Sequence, residues 1–183
     1  MNRIAILSIM LGSAGLVIAP AWSGHKPSLI WNASASVPVG LYKVHQIGTL
    51  SVGDLVTIVP PPALADALSQ RGYLASGVPL IKRVLALSGT TVCRIAQTIY
   101  VYGHPFGEAR TRDSLGRELP LWQGCRPLSE NEVFLMNWDA PDSFDGRYFG
   151  PLSADTITAR LSPLWTDEEE NGRYHWHRDE PSP

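Results

Sequence analysis

Residues 80–102 read LIKRVLALSGTTVCRIAQTIYVY, in which strand-forming segments alternate with turns. Apolar and β-branched residues dominate the segments, and Ser88-Gly89 interrupts them with residues that favour a turn. The pattern predicts a strand over 80–87, followed by a hairpin whose strands are 90–94 and 98–102. This stretch indicates a β fold, and it places Lys82 inside an apolar strand.

The sequence on either side continues the β pattern. Extended or strand-like segments are 29–44, 55–59, 133–136 and 156–164. One helix is predicted over 63–71 (ALADALSQR), with Gly72 just past its end. Residues 103–130 lack clear periodicity, and we interpret them as an excursion from the core. We therefore expect residues 24–165 to form a mainly β domain that contains one short helix.

Composition limits the class of protein. The chain has 183 residues, 44% of them hydrophobic and 17% charged, which is typical of one modest globular domain. Its 16 glycines and 15 prolines argue against a helical bundle. A net charge of −2 gives no reason to expect a nucleic-acid partner, because binding to phosphates needs a basic patch. Six of the acidic residues fall in 166–183, which we expect to be a solvated, disordered tail.

The N-terminal segment 1–23 is strongly apolar. Ile4 to Trp22 is a run without a charge, and Arg3 precedes it. As a helix, the run would span about 28 Å, close to the hydrocarbon thickness of a bilayer. It predicts a transmembrane anchor or, given Ala19-Pro20-Ala21, a cleaved export signal. Either interpretation exports the rest of the chain, whereas a buried core helix would normally alternate with polar residues.

The predicted export of the chain affects the interpretation of its two cysteines. Cys93 and Cys125 have neither the spacing nor the histidine neighbours of a zinc site. In an oxidising compartment an isolated pair favours a disulfide. The alternative is two unrelated buried thiols. No metal or other cofactor is expected.

Lys82 carries the clearest chemical signal, because a lysine normally stays in water unless it is paired. One interpretation is an edge-strand lysine that prevents aggregation. The other is a catalytic base, since burial lowers the pKa of an amine and a neutral lysine can activate a serine hydroxyl. A Ser/Lys pair needs no histidine. The five histidines of the chain are poor candidates, because they lie near the N-terminal segment, in isolated turns or in the tail.

Three motifs together resemble a known family. They are Ser36-Val37-Pro38 with Gly40-Leu41-Tyr42, Lys82-Arg83-Val84 with Ser88-Gly89, and SFDGRYFGP over 143–151. Over residues 30–160 they are similar to the three conserved boxes of the type I signal peptidases, and most similar to the conjugative-transfer, TraF-like branch. The resemblance implies a signal peptidase-like β-barrel or sheet core. The turns at 87–90 and 137–139 depart from the family pattern, which leaves substrate detail open.

The resemblance also implies roles for individual residues. Ser36 is the nucleophile and its backbone N–H an oxyanion donor, Lys82 is the general base, Ser34 adds an oxyanion hydroxyl, Ser143 orients the lysine, and Asp145 and Arg147 form a supporting ion pair. The alternative for that pair is a plain surface salt bridge, worth under about 1 kcal/mol.

We therefore expect a membrane-associated serine endopeptidase, with its catalytic domain on the periplasmic side of the bacterial inner membrane. Its substrate would be an exported precursor, a pilin subunit of a conjugation apparatus, and both hydrolysis and cyclisation remain open. One alternative is a general type I signal peptidase. Another is a non-catalytic β-rich envelope component, in which Lys82 is an edge charge and Ser36 a turn residue.

Overall fold

The structure is a computed structural model that describes residues 3–22 and 27–177. Its helices are α1 (Arg3–Trp22), α2 (Pro62–Gln70) and α3 (Gly146–Phe149), and a single 3-10 turn covers Ala154–Thr156. Its strands are β1 (Leu29–Asn32), β2 (Val39–His45), β3 (Leu55–Ile58), β4 (Leu80–Ala86), β5 (Thr91–Ile95), β6 (Thr98–Val101), β7 (His104–Glu108), β8 (Gly124–Pro127), β9 (Glu132–Leu135), β10 (Leu152–Ser153), β11 (Ile157–Asp167) and β12 (His175–Trp176). The mainly β fold predicted from the sequence is confirmed.

The N-terminal segment is helical, as expected. Helix α1 covers the whole of the uncharged run, and residues 3–15 are exposed on its surface. Within residues 3–22 and 27–177, no helix combines the length and the apolar character needed to cross a bilayer. The role of residues 1–23 as an anchor or an export signal is therefore not confirmed.

The larger sheet carries Lys82 near its middle. Its strands follow the order β1-β2-β11-β3-β4-β9-β10, and β12 pairs with β11. Lys82 lies opposite Val56 on the antiparallel strand β3. Because alternate residues of a strand face the same side, Lys82 shares its face with Leu80 and Val84. These two pack in one apolar cluster with Val56. The lysine therefore projects from a strand whose neighbouring side chains are apolar.

The smaller sheet has the order β7-β6-β5-β8. The hairpin predicted over 90–102 is confirmed as β5 and β6. Cys93 lies directly opposite Cys125 and is bonded to it, which confirms the predicted disulfide. Their Cα atoms are 3.9 Å apart, closer than the usual range of about 4.4–6.8 Å. The excursion predicted over 103–130 is partly regular, since it supplies β7 and β8.

Three clusters of buried apolar side chains form the core of the part of the chain that the structure describes. The first joins the end of β4 to the smaller sheet, and it includes Leu85, Val92, Ile99, Phe134 and Met136. The second covers one face of the larger sheet, with Ile58, Val84 and Leu135 among its members. The third consists of Val37, Tyr42, Leu55, Ile81 and Leu161. This last cluster lies between the Ser36 segment and the strand of Lys82, so it packs the two halves of the predicted site together.

The prediction of one short helix after the N-terminal segment is incomplete. Helix α2 matches the predicted helix, but α3 adds a four-residue turn inside the third motif. Asp145 begins α3, where its side chain accepts a hydrogen bond from the backbone N–H of Arg147 at 3.1 Å. A helix this short has no periodicity in the sequence, so the pattern of residues does not predict it.

The acidic C-terminal segment also differs from its prediction. Instead of a disordered tail over 166–183, β11 extends to Asp167 and β12 returns to pair with its end. The rings of Trp165 and Tyr174 are 4.6 Å apart. Aromatic contacts of this kind order the segment although its charge suggests a solvated tail. Residues 178–183, which complete the predicted tail, lie outside the described residues.

Candidate active site

The loop that carries Ser36 connects β1 to β2, and Asn32 organises it. Asn32 is buried, and its side-chain amide donates to the backbone carbonyls of Ser34 (2.7 Å), Val37 (3.0 Å) and Pro38 (3.1 Å). Its Oδ1 accepts the backbone N–H of Ser34 at 3.1 Å. One side chain therefore ties together both ends of the turn that presents Ser36.

The two serines of this loop are in hydrogen-bond contact. Ser36 Oγ lies 3.0 Å from Ser34 Oγ, and Ser34 Oγ donates to Asn32 Oδ1 at 2.9 Å. Because the single proton of Ser34 is used on Asn32, Ser36 is the donor to Ser34. The hydroxyl proton of Ser36, the predicted nucleophile, therefore points toward Ser34 Oγ in the structure. Ser34 can donate to an oxyanion only after it releases Asn32.

Lys82 is deeply buried in β4. Its side chain is 2% exposed, and Nζ donates to Ser143 Oγ at 2.8 Å. Desolvation lowers the pKa of the Lys82 amine to about 8. The Asp145 carboxylate opposes this shift and the Arg147 guanidinium adds to it. An amine with this pKa is partly neutral near neutral pH, as a general base must be.

Asp145 and Arg147 form a buried ion pair rather than a surface salt bridge. Both side chains are at most 1% exposed, with Nη2 2.8 Å from Oδ2 and Nε 2.9 Å from Oδ1. Arg147 Nη2 also donates to the backbone carbonyls of Asn137, Ala140 and Ser143, at 3.2, 2.6 and 3.3 Å. Removing one partner of a buried pair typically costs about 3–5 kcal/mol, because it leaves an uncompensated charge. The pair folds the 137–147 segment and thereby places Ser143.

Asn137 connects this segment to the strand of Lys82. Its Oδ1 accepts the backbone N–H of Arg83 at 2.9 Å, and its Nδ2 donates to the carbonyl of Ile81 at 3.2 Å. Its own N–H donates to Asp145 Oδ2 at 3.0 Å. The lysine strand, Asn137 and the ion pair therefore form one continuous hydrogen-bonded unit.

The structure brings the predicted residues together in pairs. Ser34 contacts Ser36, Ser143 contacts Lys82, and Asp145 contacts Arg147. Among the hydrogen bonds of the described residues, none joins Ser36 to Lys82. The two segments pack together through Val37 and Ile81, which follow Ser36 and precede Lys82 and belong to one buried cluster, although Ile81 faces the side of β4 opposite to Lys82. Catalytic hydrogen bonds are often loose without substrate and tighten when it binds.

Two residues of this arrangement were missed by sequence reasoning. Asn32 had a local signal, because an asparagine side chain readily bonds to the backbone two residues later, as it does to Ser34 here. Asn137 had none, because its side-chain partners lie 54 and 56 residues away. In the part of the chain that the structure describes, no group of three or more His, Cys, Asp or Glu side chains could hold a metal ion.

Comparisons with known proteins identify the family of the chain. The family model described as signal peptidase, peptidase S26 matches residues 1–165. The chain is 32% identical over 176 residues to plasmid transfer protein TraF of Escherichia coli, covering 91% of this chain and 97% of that protein. It is 36% identical over 178 residues to conjugal transfer protein TraF of Agrobacterium fabrum (strain C58 / ATCC 33970), covering 91% and 98%.

Among solved structures, signal peptidase I from Enterococcus faecalis V583 matches with a TM-score of 0.38 and 21% identity, covering 64% of this chain and 100% of that one. The family assignment rests on the sequence matches instead. The family model covers most of the chain, and each TraF protein is matched over nearly its whole length. The chain therefore belongs to the peptidase S26 family of signal peptidases, which are serine peptidases.

Proposed function

We propose that this peptidase uses Ser36 as nucleophile and Lys82 as general base to cleave an exported precursor protein. The observation that carries the proposal is the state of Lys82, a buried amine held on Ser143 with its pKa lowered to about 8. A purely structural lysine at the edge of a sheet would keep its amine in water. Burial of the amine supports a role that needs the neutral form.

The chemistry follows from these two groups. Ser36 turns from Ser34 toward the amine, and Lys82 takes its proton as Oγ attacks the scissile carbonyl carbon. The oxyanion accepts a hydrogen bond from the N–H of Ser36, and a released Ser34 hydroxyl adds a second donor. Collapse breaks the C–N bond, Lys82 returns the proton to the leaving amine, and an ester on Ser36 remains.

The substrate would bind as an added strand beside the site. Strand β1 lies at the end of the larger sheet and leads directly into the Ser36 loop. An extended peptide adds readily to such an edge through backbone hydrogen bonds, while alternate side chains enter pockets. This supports an extended segment of the precursor as the substrate.

The relatives bear on the class of precursor that we propose. Those named above are transfer proteins by their descriptions, one from a plasmid and one from a conjugal system. This supports a role in conjugation, and we propose a pilin subunit as substrate. The ester on Ser36 is open to two attackers: water gives a linear product, and the amino terminus of the same substrate gives a circular one.

The proposed location is the periplasmic face of the bacterial inner membrane. The uncharged run from Ile4 to Trp22 supports export of the domain that follows. The Cys93–Cys125 disulfide is consistent with an oxidising compartment.

The test is to incubate the full chain with a candidate pilin precursor and to weigh the products. Ser36→Ala and Lys82→Ala should each abolish cleavage, because they remove the proposed nucleophile and the proposed base. Lys82→Arg should abolish it as well, because a guanidinium does not give up its proton at working pH. Ser69→Ala is the matched control, since Ser69 is exposed on α2. A linear and a circular product differ by the mass of one water. An active Lys82→Arg enzyme would exclude lysine as the base.

A further inference from the structure

The side chain of Asn137 holds the strand on both sides of Lys82. Asn137 lies two residues past the end of β9 and is 2% exposed. Its amide oxygen accepts from Arg83 and its amide nitrogen donates to Ile81, the two residues that flank the lysine. It bonds to β4 as a peptide group of a neighbouring strand would. These two hydrogen bonds fix the backbone of β4 on both sides of Lys82.

The backbone of Asn137 is anchored on the other side. Its N–H donates to Asp145 Oδ2, and its carbonyl accepts from Arg147 Nη2. The same guanidinium group bonds to the carbonyl of Ser143, the residue whose hydroxyl accepts from Lys82. The amine and its acceptor are therefore positioned by one rigid unit, which Asn137 joins to β4.

We propose that Asn137 is a positioning residue that holds the Lys82 amine against Ser143 by clamping the lysine strand to the Asp145–Arg147 pair. The proposal deepens the proposed function and rests on it, because it assigns Asn137 a purpose only if Lys82 is the base. The residue acts through Lys82 and does not touch the reacting atoms.

The clamp requires an amide. Oδ1 must accept and Nδ2 must donate at the same time, which neither a carboxylate nor a methyl group does. Asn137→Asp keeps the acceptor for Arg83, loses the donor to Ile81 and adds a negative charge near the amine. Asn137→Ala loses both bonds and leaves room for water. Both changes should favour the protonated amine, the first by its charge and the second by reduced desolvation.

The sequence makes a direct measurement practical. The chain contains three lysines, Lys26, Lys43 and Lys82, so the spectrum of protein labelled with [13C]lysine is simple to assign. A pH titration of the Lys82 side-chain carbon reports its protonation without any substrate. The charged groups that act on this amine are Asp145 and Arg147, which all variants retain.

We expect the Lys82 midpoint to move upward by about one pH unit or more in Asn137→Asp, and upward as well in Asn137→Ala. With a cleavable precursor, kcat should fall about a hundredfold, with a smaller change in KM, and its acid limb should move with the Lys82 midpoint. Asn131→Ala is the matched control, because Asn131 is exposed and bonds to Ser153 and Asp155 instead. It should leave both quantities unchanged.

An unchanged Lys82 midpoint in folded Asn137 variants would overturn the proposal. If the variants do not fold, amide hydrogen exchange of the wild type tests the proposal instead. The backbone N–H of Arg83, which donates to Asn137 Oδ1, should exchange slowly. Fast exchange of that amide would also overturn the clamp. Failure of the proposed function can be told apart from failure of the clamp. It would appear as a wild-type protein that shows no cleavage dependent on Ser36 and Lys82, whereas the titration and the hydrogen exchange can be measured without any cleavage.

Discussion

At the scale of single residues, the site depends on one buried amine. Lys82 lies on an apolar face of β4, and its amine donates to the hydroxyl of Ser143 rather than to a carboxylate. A carboxylate in direct contact would stabilise the ammonium form and raise its pKa. Asp145 is instead engaged by Arg147 at 2.8 Å. The pairing of these two residues keeps the local charge balanced and leaves desolvation as the main influence on Lys82.

The first prediction concerns the pH dependence of cleavage. In the proposed mechanism the active form of Lys82 is the neutral amine, so the acylation rate should rise about tenfold per pH unit below pH 8 and level off above it. The measurement is the rate constant for a precursor peptide between pH 5 and 10. A profile governed by a group that titrates near 4 would instead identify a carboxylate as the base.

The second prediction concerns stability, and it has a definite sign. The pKa of Lys82 is about 8 in the folded chain and 10.5 in an ordinary environment. The unfolded state therefore binds more protons between these values, and stability rises with pH there. The free energy of unfolding of the wild type, minus that of Lys82→Met, should increase by about 3 kcal/mol from pH 8 to pH 10.5. Denaturant titrations at several pH values measure it, and a flat difference would contradict the buried amine.

At the scale of elements, the Ser36 loop depends on close contact between β2 and β11. Gly40 follows the loop with φ +151°, and a Cβ built on it would lie 2.3 Å from the carbonyl oxygen of Trp165. Only glycine permits this approach and this backbone conformation. The contact holds the C-terminal end of the loop, where the hydroxyl of Tyr42 donates to the carbonyl of Pro38 at 2.6 Å.

The third prediction follows from this contact. Gly40→Ala should destabilise the protein by about 2–4 kcal/mol, because the methyl group forces the two strands apart. Cleavage should also slow, since the displaced strand carries the end of the Ser36 loop. Gly48→Ala is the control, because a Cβ there has no atom within 4 Å among the described residues. Thermal unfolding of both variants compares them, and equal melting temperatures would count against the clash.

At the scale of the whole molecule, the site is assembled from three distant segments. The Ser36 loop precedes β2, Lys82 lies on β4, and Ser143 with the ion pair follows β9. Strand β11 connects the first two, since it pairs with β2 on one side and with β3 on the other. The C-terminal part of the chain therefore supports the candidate active site, although it supplies none of the predicted catalytic residues.

The fourth prediction tests this support by truncation. Ending the chain before Thr166 removes β12 and the part of β11 that pairs with Val39 and Gly40. Thr166 is fully buried, so this truncation should lower both stability and activity. Ending the chain after His177 keeps both strands and should change neither. The comparison uses the midpoint of denaturant unfolding and the cleavage rate, and full activity of the shorter chain would contradict the assigned role of β11.

Local patterns in the sequence predicted much of the fold. The hairpin over 90–102, the helix after Pro61 and the strand of Lys82 all appear close to their predicted positions. Alternating apolar residues and turn residues carry this information within a few positions of each other. The disulfide could be predicted as well, because the chain has two cysteines. The helix, the hairpin and the strand depend on residues that are close in sequence, and the disulfide depends on a pairing for which two cysteines leave one possibility.

The tertiary structure alone decided which polar groups are buried and what they contact. The sequence left Asp145 and Arg147 open between a surface salt bridge and a supporting pair, and packing removes both from water. Asn137 acquires its side-chain partners from a strand more than fifty residues away, and aromatic contacts order the acidic segment after Leu164. Burial and long-range hydrogen bonds arise only when distant strands pair, so no local pattern of residue types encodes them.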